Sequence, residues 1–80
     1  MRITNEEYWN LTPMGRELHD YWMNYKTEMY NNLANSGDLL PILQSRGEWL
    51  HEIVVENLQT LGVAGAKEVA RSMIYDEMES

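Results

Sequence analysis

Apolar side chains recur at steps of three and four along most of the chain, which is the spacing of one face of an α-helix. The first such stretch begins at Thr12-Pro13, where a hydroxyl N-cap precedes a proline at the first helical position, and it ends at Asn35-Ser36-Gly37. Its apolar positions are Met14, Leu18, Tyr21 or Trp22, Tyr25, Met29 and Leu33. The pattern therefore predicts a long helix over residues 13–35.

Two further stretches follow the same spacing. They predict a helix over residues 38–61, closed by Gly62, and a shorter helix over residues 64–78. Residues 1–11 have no repeat and are predicted to form an N-terminal arm. Strand signals are missing, because no stretch alternates apolar and polar residues. We therefore expect a single all-α domain over residues 1–80, an antiparallel helical hairpin with a third, shorter helix packed on it as a three-helix bundle.

The apolar stripe of the second predicted helix has a gap between Leu43 and Leu50, which contains Gly47. Glycine costs about 1 kcal/mol relative to alanine inside a helix. A glycine at this position therefore indicates either a bend or the close approach of another helix.

Large side chains are numerous for a chain of 80 residues, with three tryptophans, five tyrosines and six methionines. A chain of this length buries only about 60 % of its unfolded surface. Either the arm folds over these side chains or a second subunit covers them, and we predict a homodimer. The candidate aromatic interface comprises Tyr21, Trp22, Tyr25, Tyr30 and Trp49. Such side chains either pack in the core or between two subunits, or form a surface that binds a partner protein.

Charge adds a prediction about partners. Thirteen acidic and six basic residues give a net charge of −7, and such a chain repels phosphate backbones. The bases are scattered, and only Lys67 and Arg71 lie one helical turn apart. Direct binding of nucleic acid is therefore not expected, although a small DNA-binding regulator that uses these two residues stays an alternative.

The acidic residues are better organised than the basic ones. Glu48, Glu52 and Glu56 follow one another at i, i+4 and i+8 with no base between them. Like charges at this spacing are mildly unfavourable in an isolated helix. The stripe is either a solvated face or a surface for a basic protein groove, as in the nucleic-acid-mimicking inhibitors of host defence such as anti-CRISPR proteins; Glu17 and Asp20 could extend it.

Catalytic and metal chemistry find little support in the sequence. Without cysteine, disulfides and thiolate sites are excluded. Glu48 and His51 have the spacing of a di-iron ligand pair, but a second pair is missing because Arg16 lies three residues before His19. His19-Asp20 could orient an imidazole base, yet nothing supplies a nucleophile and an oxyanion hole. We predict no catalytic residue, no metal, no cofactor and no enzyme activity.

The chain has no apolar run of membrane-spanning length and its first ten residues lack the apolar core of a signal peptide. We therefore expect a cytoplasmic protein with no membrane contact, which acts by binding another protein.

One stretch of the chain resembles the TnpV-type small proteins, which are encoded on conjugative transposons of Gram-positive gut bacteria. The turn Leu-x-x-Ser-Gly-x-Leu of that family reads Leu33-Ala34-Asn35-Ser36-Gly37-Asp38-Leu39 here. The other matching residues are Gly15-Arg16, Tyr21-Trp22, Tyr30 and Leu43, with Ala70 and Met73-Ile74-Tyr75 near the C-terminus. The resemblance is strongest over residues 15–43. It implies an accessory protein of a mobile genetic element and transfers no catalytic residue.

Overall fold

The computed structural model describes residues 2–79, with side chains described up to Tyr75. Over these residues the chain forms four helices and no strand: α1 (Asn5–Asn10), α2 (Pro13–Tyr25), α3 (Thr27–Ser36) and α4 (Leu39–Glu79). The all-α class is confirmed. No helix of the described part is long and apolar enough to cross a membrane.

The N-terminal arm contains a helix that the apolar pattern does not predict. The α1 helix begins with a capping box, in which the Thr4 hydroxyl accepts from the Glu7 backbone N–H at 3.1 Å and the Glu7 carboxylate accepts from the Thr4 N–H at 2.8 Å. Six residues are too few for a recognisable apolar repeat. The Thr-x-x-Glu spacing is the signal that could have located this helix. On either side of α1, Ile3 and Leu11 are buried in the core.

The helix predicted over residues 13–35 is two helices, because the backbone at Lys26 leaves the helical region (φ −126°, ψ 49°). In one straight helix, Tyr30 would lie about 16 Å along the axis from His19. In the structure the Tyr30 hydroxyl lies 2.9 Å from Nε2 of His19. The break at Lys26 therefore lets α3 fold back against α2.

The α4 helix is broken at Gly62, where the sequence predicts a boundary. Gly62 has φ 74°, a left-handed conformation that favours glycine. We call residues 39–61 the first arm of α4 and residues 63–79 the second arm. The α2 helix packs mainly against α4. Small residues of the second arm, Ala66 and Ala70, are fully buried in the same core as Leu43 and Leu50 of the first arm.

A close approach of α2 and α4 explains the glycine inside the first arm. A Cβ atom added at Gly47 would lie 2.9 Å from the Cα of Gly15 and 3.0 Å from Oγ1 of Thr12. The Thr12 hydroxyl donates to the Gly47 carbonyl at 2.8 Å and accepts from the Gly15 N–H at 3.0 Å. Of the two expectations for Gly47, the close approach is correct, since the backbone stays helical there.

Candidate functional site

A chain of hydrogen bonds runs through the interior where the N-terminal segment (residues 2–11), α2 and α3 meet. His19 is fully buried, with Nδ1 3.1 Å from Asp20 Oδ1 and Nε2 2.9 Å from the Tyr30 hydroxyl. The same hydroxyl accepts from the Arg2 backbone N–H at 2.8 Å. The Asp20 carboxylate can only accept, so Nδ1 of His19 carries a proton that is directed at it. In the imidazole tautomer with no second proton, Nε2 accepts from the Tyr30 hydroxyl.

Tyr8 of α1 adds another hydrogen bond to this group. We call Tyr8, His19, Asp20 and Tyr30 the polar centre. The hydroxyl of Tyr8 donates to the Asp20 carboxylate, at 3.1 Å from Oδ2 and 3.3 Å from Oδ1. Its ring packs edge-on against His19, with centroids 5.1 Å apart. Burial raises the pKa of the Tyr8 hydroxyl above its ordinary value of 10.0, and the hydrogen bond to the Asp20 carboxylate raises it further.

The order carboxylate, imidazole and hydroxyl matches that of a catalytic triad, but the accessibility does not. Tyr30 is 2 % exposed, and its hydroxyl already accepts from one backbone N–H while donating to His19. A triad needs a hydroxyl that reaches the substrate. At this position the chain of hydrogen bonds joins three parts of the fold and offers no hydroxyl to a substrate.

The predicted acidic stripe lies on the outside of the molecule. Glu48, Glu52 and Glu56 are all exposed. In contrast, Leu50 and Val54 of the same arm are buried. Among the described residues none of these three carboxylates takes part in a hydrogen bond or an ion pair. The stripe therefore meets solvent along two turns of the first arm.

Two large apolar side chains lie among these acids. Trp49 is 44 % exposed and Val55 is 52 % exposed. Trp49 precedes Glu52 by three residues, so the two share a side of the helix. We call the exposed face formed by Glu48, Trp49, Glu52, Val55 and Glu56 the outer ridge.

The two acidic residues of α2 do not behave like those of the outer ridge. Glu17 accepts from the Arg71 guanidinium, with Nε 2.9 Å from Oε1, and Asp20 belongs to the polar centre. Both carboxylates therefore accept hydrogen bonds within the fold, which distinguishes them from the three carboxylates of the stripe.

The predicted aromatic interface loses two of its members to the core. Trp22 and Tyr30 are buried, because both point towards the packed side of their helices. Tyr25 is 73 % exposed and Tyr21 is partly buried, with ring centroids 5.2 Å apart. The sequence pattern missed a third ring, that of Tyr75, which lies 5.0 Å from Tyr21. Trp49 lies on the first arm of α4, in the outer ridge.

The Gly15-Arg16 pair has a structural role that its spacing alone does not reveal. Gly15 allows the approach of α4, whereas the Arg16 guanidinium lies 5.1 Å from the ring centre of Trp9. The same guanidinium donates to the backbone carbonyls of Trp9 and Leu11, at 3.2 Å and 3.0 Å. Arg16 thus ties the end of α1 to the start of α2.

The remaining candidate residues are not assembled into a site. Arg71, one of the two bases of the alternative DNA-binding surface, is paired with Glu17. His51 is exposed on α4. Over the described part of the chain, no group of three or more histidine, aspartate and glutamate side chains could hold a metal ion.

Comparison of the chain with protein-family models, with curated proteins and with solved structures gives no match.

Proposed function

We propose that the protein is a non-enzymatic accessory protein that binds a basic protein partner through the outer ridge of α4. The observation that carries this proposal is the row of three exposed carboxylates that form no hydrogen bond or ion pair among the described residues, with the exposed Trp49 on the same face. Charge complementarity of this kind speeds association and selects partners. A tryptophan among the charges supplies the apolar contact that binding interfaces favour.

The biological setting proposed is the cytoplasm of a bacterium that carries a mobile genetic element. Its support is the resemblance of residues 15–43 to the TnpV-type proteins. Several of the matching residues have structural roles here, since Gly15 meets α4 and Tyr30 belongs to the polar centre.

A more specific version of the same function is the inhibition of a host defence protein by mimicry of nucleic acid. A row of carboxylates spaced four residues apart along one helix favours this version, because a groove that binds phosphates is lined with bases. Direct DNA binding has less support, since Arg71 is engaged with Glu17.

We also propose that two copies of the protein pair. Exposed apolar side chains support this, in particular Trp9, Val63 and Tyr25, each of which is more than half exposed. Sedimentation velocity over a range of concentrations tests it, and a single species of 9.4 kDa at all concentrations would contradict it.

The decisive experiment for the ridge is a pair of charge-reversed variants. The ridge variant carries Glu48→Lys, Glu52→Lys and Glu56→Lys, and the control carries Glu6→Lys, Glu28→Lys and Glu68→Lys, three acids that are also exposed. Each variant changes the net charge from −7 to −1 (−7 + 6). Each is used with the native protein in affinity purification from nuclease-treated lysate of the native bacterium.

A protein captured in stoichiometric amount by the native protein and the control variant, but not by the ridge variant, is the expected result. Circular dichroism verifies that both variants keep their helices. Equal capture by both variants would contradict a role of the ridge. The two variants have the same net charge and differ only in the position of the three reversed charges, so equal capture would mean that this position does not matter for binding.

A further inference from the structure

A second surface feature lies between α2 and the second arm of α4, and it shares no residue with the outer ridge. It is an open cavity of about 280 Å³. Its walls are formed by Glu17, Asp20, Tyr21, Asn24, Tyr25 and Tyr75. Three aromatic rings and two carboxylates thus line one open space on the surface.

The three rings form a continuous aromatic wall. The ring of Tyr21 lies between the other two, with its centre 5.2 Å from that of Tyr25 and 5.0 Å from that of Tyr75. The rings of Tyr21 and Tyr75 are inclined by 64°, so the wall is bent rather than flat. Tyr25 and Tyr75 are 73 % and 48 % exposed, which leaves much of their surface open to a ligand. The face of a tyrosine ring carries negative potential and attracts cations.

Two carboxylates, from the same helix as Tyr21 and Tyr25, add negative charge to the lining of the cavity. Asp20 accepts from Tyr8 and His19 but its side chain stays 50 % exposed, so the carboxylate still has room for another donor. Glu17 holds the Arg71 guanidinium through Oε1 at 2.9 Å. A guanidinium of the chain itself therefore already lies against one wall residue of the cavity.

We propose that this cavity binds the guanidinium group of an arginine side chain that belongs to a protein partner. A planar guanidinium stacks on tyrosine faces and donates to a carboxylate at the same time, which a compact ammonium group does less well. The cavity supplies both kinds of contact, the rings of Tyr21, Tyr25 and Tyr75 and the carboxylate of Asp20. The inference rests on the proposed function only in assigning the arginine to a protein; the chemistry of the cavity stands independently of the ridge.

The first test uses Nα-acetyl-arginine amide as the probe and the full chain labelled with ¹⁵N and ¹³C. The matched control is the citrulline analogue, which has the same shape but no charge. We expect saturable NMR shifts at the cavity residues with the arginine compound, with a dissociation constant on the order of 1 mM, because one side chain buries little area. Equal shifts with citrulline, or shifts spread over all acidic surfaces including the outer ridge, would overturn the proposal.

The second test separates the aromatic face from simple bulk at Tyr75. Tyr75→Phe keeps the ring and should leave the dissociation constant unchanged, whereas Tyr75→Leu keeps an apolar side chain without the ring and should raise it about two- to fivefold. The pair Tyr25→Phe and Tyr25→Leu repeats the comparison at a more exposed position. If Tyr75→Leu does not fold, the affinities of the Tyr25 pair decide the test. Equal affinities of the Phe and Leu variants would overturn the proposal.

The charge-reversed ridge variant tests whether the cavity binds the arginine probe independently of the outer ridge. It should bind the arginine probe like the native protein, even though it is expected to lose the captured partner. Loss of probe binding in this variant would show that the probe only reports net charge, and it would overturn the assignment to the cavity.

Discussion

The α2 side of the molecule and the outer ridge of α4 both carry acidic residues, but these differ in what they contact. Asp20 accepts hydrogen bonds from Tyr8 and His19, and Glu17 accepts from Arg71 on another helix. The three acids of the ridge form no hydrogen bond or ion pair with any side chain among the described residues.

The carboxylates of α2 thus have a structural role, since they accept hydrogen bonds within the fold, whereas those of the ridge accept none among the described residues. Removing the carboxylate of Asp20 leaves donors without an acceptor, and unpaired buried donors are costly. Removing a ridge carboxylate leaves nothing unpaired within the described fold and relieves repulsion between neighbours. The described fold thus gives the ridge carboxylates no hydrogen bond or ion pair, and this supports the binding surface proposed for them.

The largest effect on stability is expected where α2 and α4 meet. Gly47→Val places a branched side chain against the Cα of Gly15 and the hydroxyl of Thr12, which the 2.9 Å and 3.0 Å distances to an added Cβ do not permit. We expect the free energy of unfolding to fall by about 3 kcal/mol, as for other overpacked contacts. Urea denaturation measures it.

Ser45→Val, at an exposed position of the same arm, is the matched control and should change the free energy by much less. Equal stability of the two variants would mean that the inner and outer faces of the first arm do not differ in packing.

The polar centre is expected to give the next largest effect. Tyr30→Phe keeps the buried ring but removes the hydroxyl that joins His19 and the Arg2 N–H. Two polar groups then lack their partner, and we expect a loss of about 1–3 kcal/mol in urea denaturation. Tyr25→Phe removes a hydroxyl from a side chain that is 73 % exposed and should have no measurable effect. If Tyr30→Phe left the free energy of unfolding unchanged, the hydrogen bonds of the polar centre would contribute nothing to stability.

The response to alkaline pH tests the contact between Tyr8 and Asp20. The pKa of Tyr8 is raised above 10.0 in the folded state, so this group contributes stability that is fully present below pH 10. That contribution is lost as the pH rises through the folded pKa, because a phenolate is then partly removed from water and also faces the Asp20 carboxylate. Tyr8→Phe should therefore lose less stability than the native protein between neutral and strongly alkaline pH, as measured by thermal unfolding. Parallel curves would contradict the coupling.

The smallest change in stability, with the opposite sign, is expected on the outer ridge. Replacing Glu48, Glu52 and Glu56 together by glutamine removes two like-charge pairs at i, i+4 spacing. Such pairs cost roughly 0.2–0.5 kcal/mol each in helices, so the variant should be as stable as the native protein or slightly more stable in urea. A clear loss of stability would show that the ridge carboxylates support the fold, and would remove the main reason to propose them as a binding surface.

Some features of the structure were predicted from the sequence and others were not. The break at Gly62, the exposed acidic stripe and the special role of Gly47 follow from residue spacing, since glycine and helical periodicity act locally. The α1 helix was missed because six residues hold no repeat, although its capping box was present in the sequence. The cavity of the three tyrosines was also missed, because Tyr21 and Tyr75 meet only in the folded chain.

By itself, the sequence determined that the chain is helical, roughly where its second and third apolar stretches are divided, and that its acids outnumber its bases. These are properties of neighbours along the chain. Only the tertiary structure decided that the chain turns back at Lys26, that Trp22 and Tyr30 belong to the core, and that the acids of α2 are engaged. The hydrogen bond of Tyr30 to His19 joins residues 11 positions apart, and that of Arg71 to Glu17 joins residues 54 positions apart. A pattern of near neighbours along the chain contains no information about such contacts.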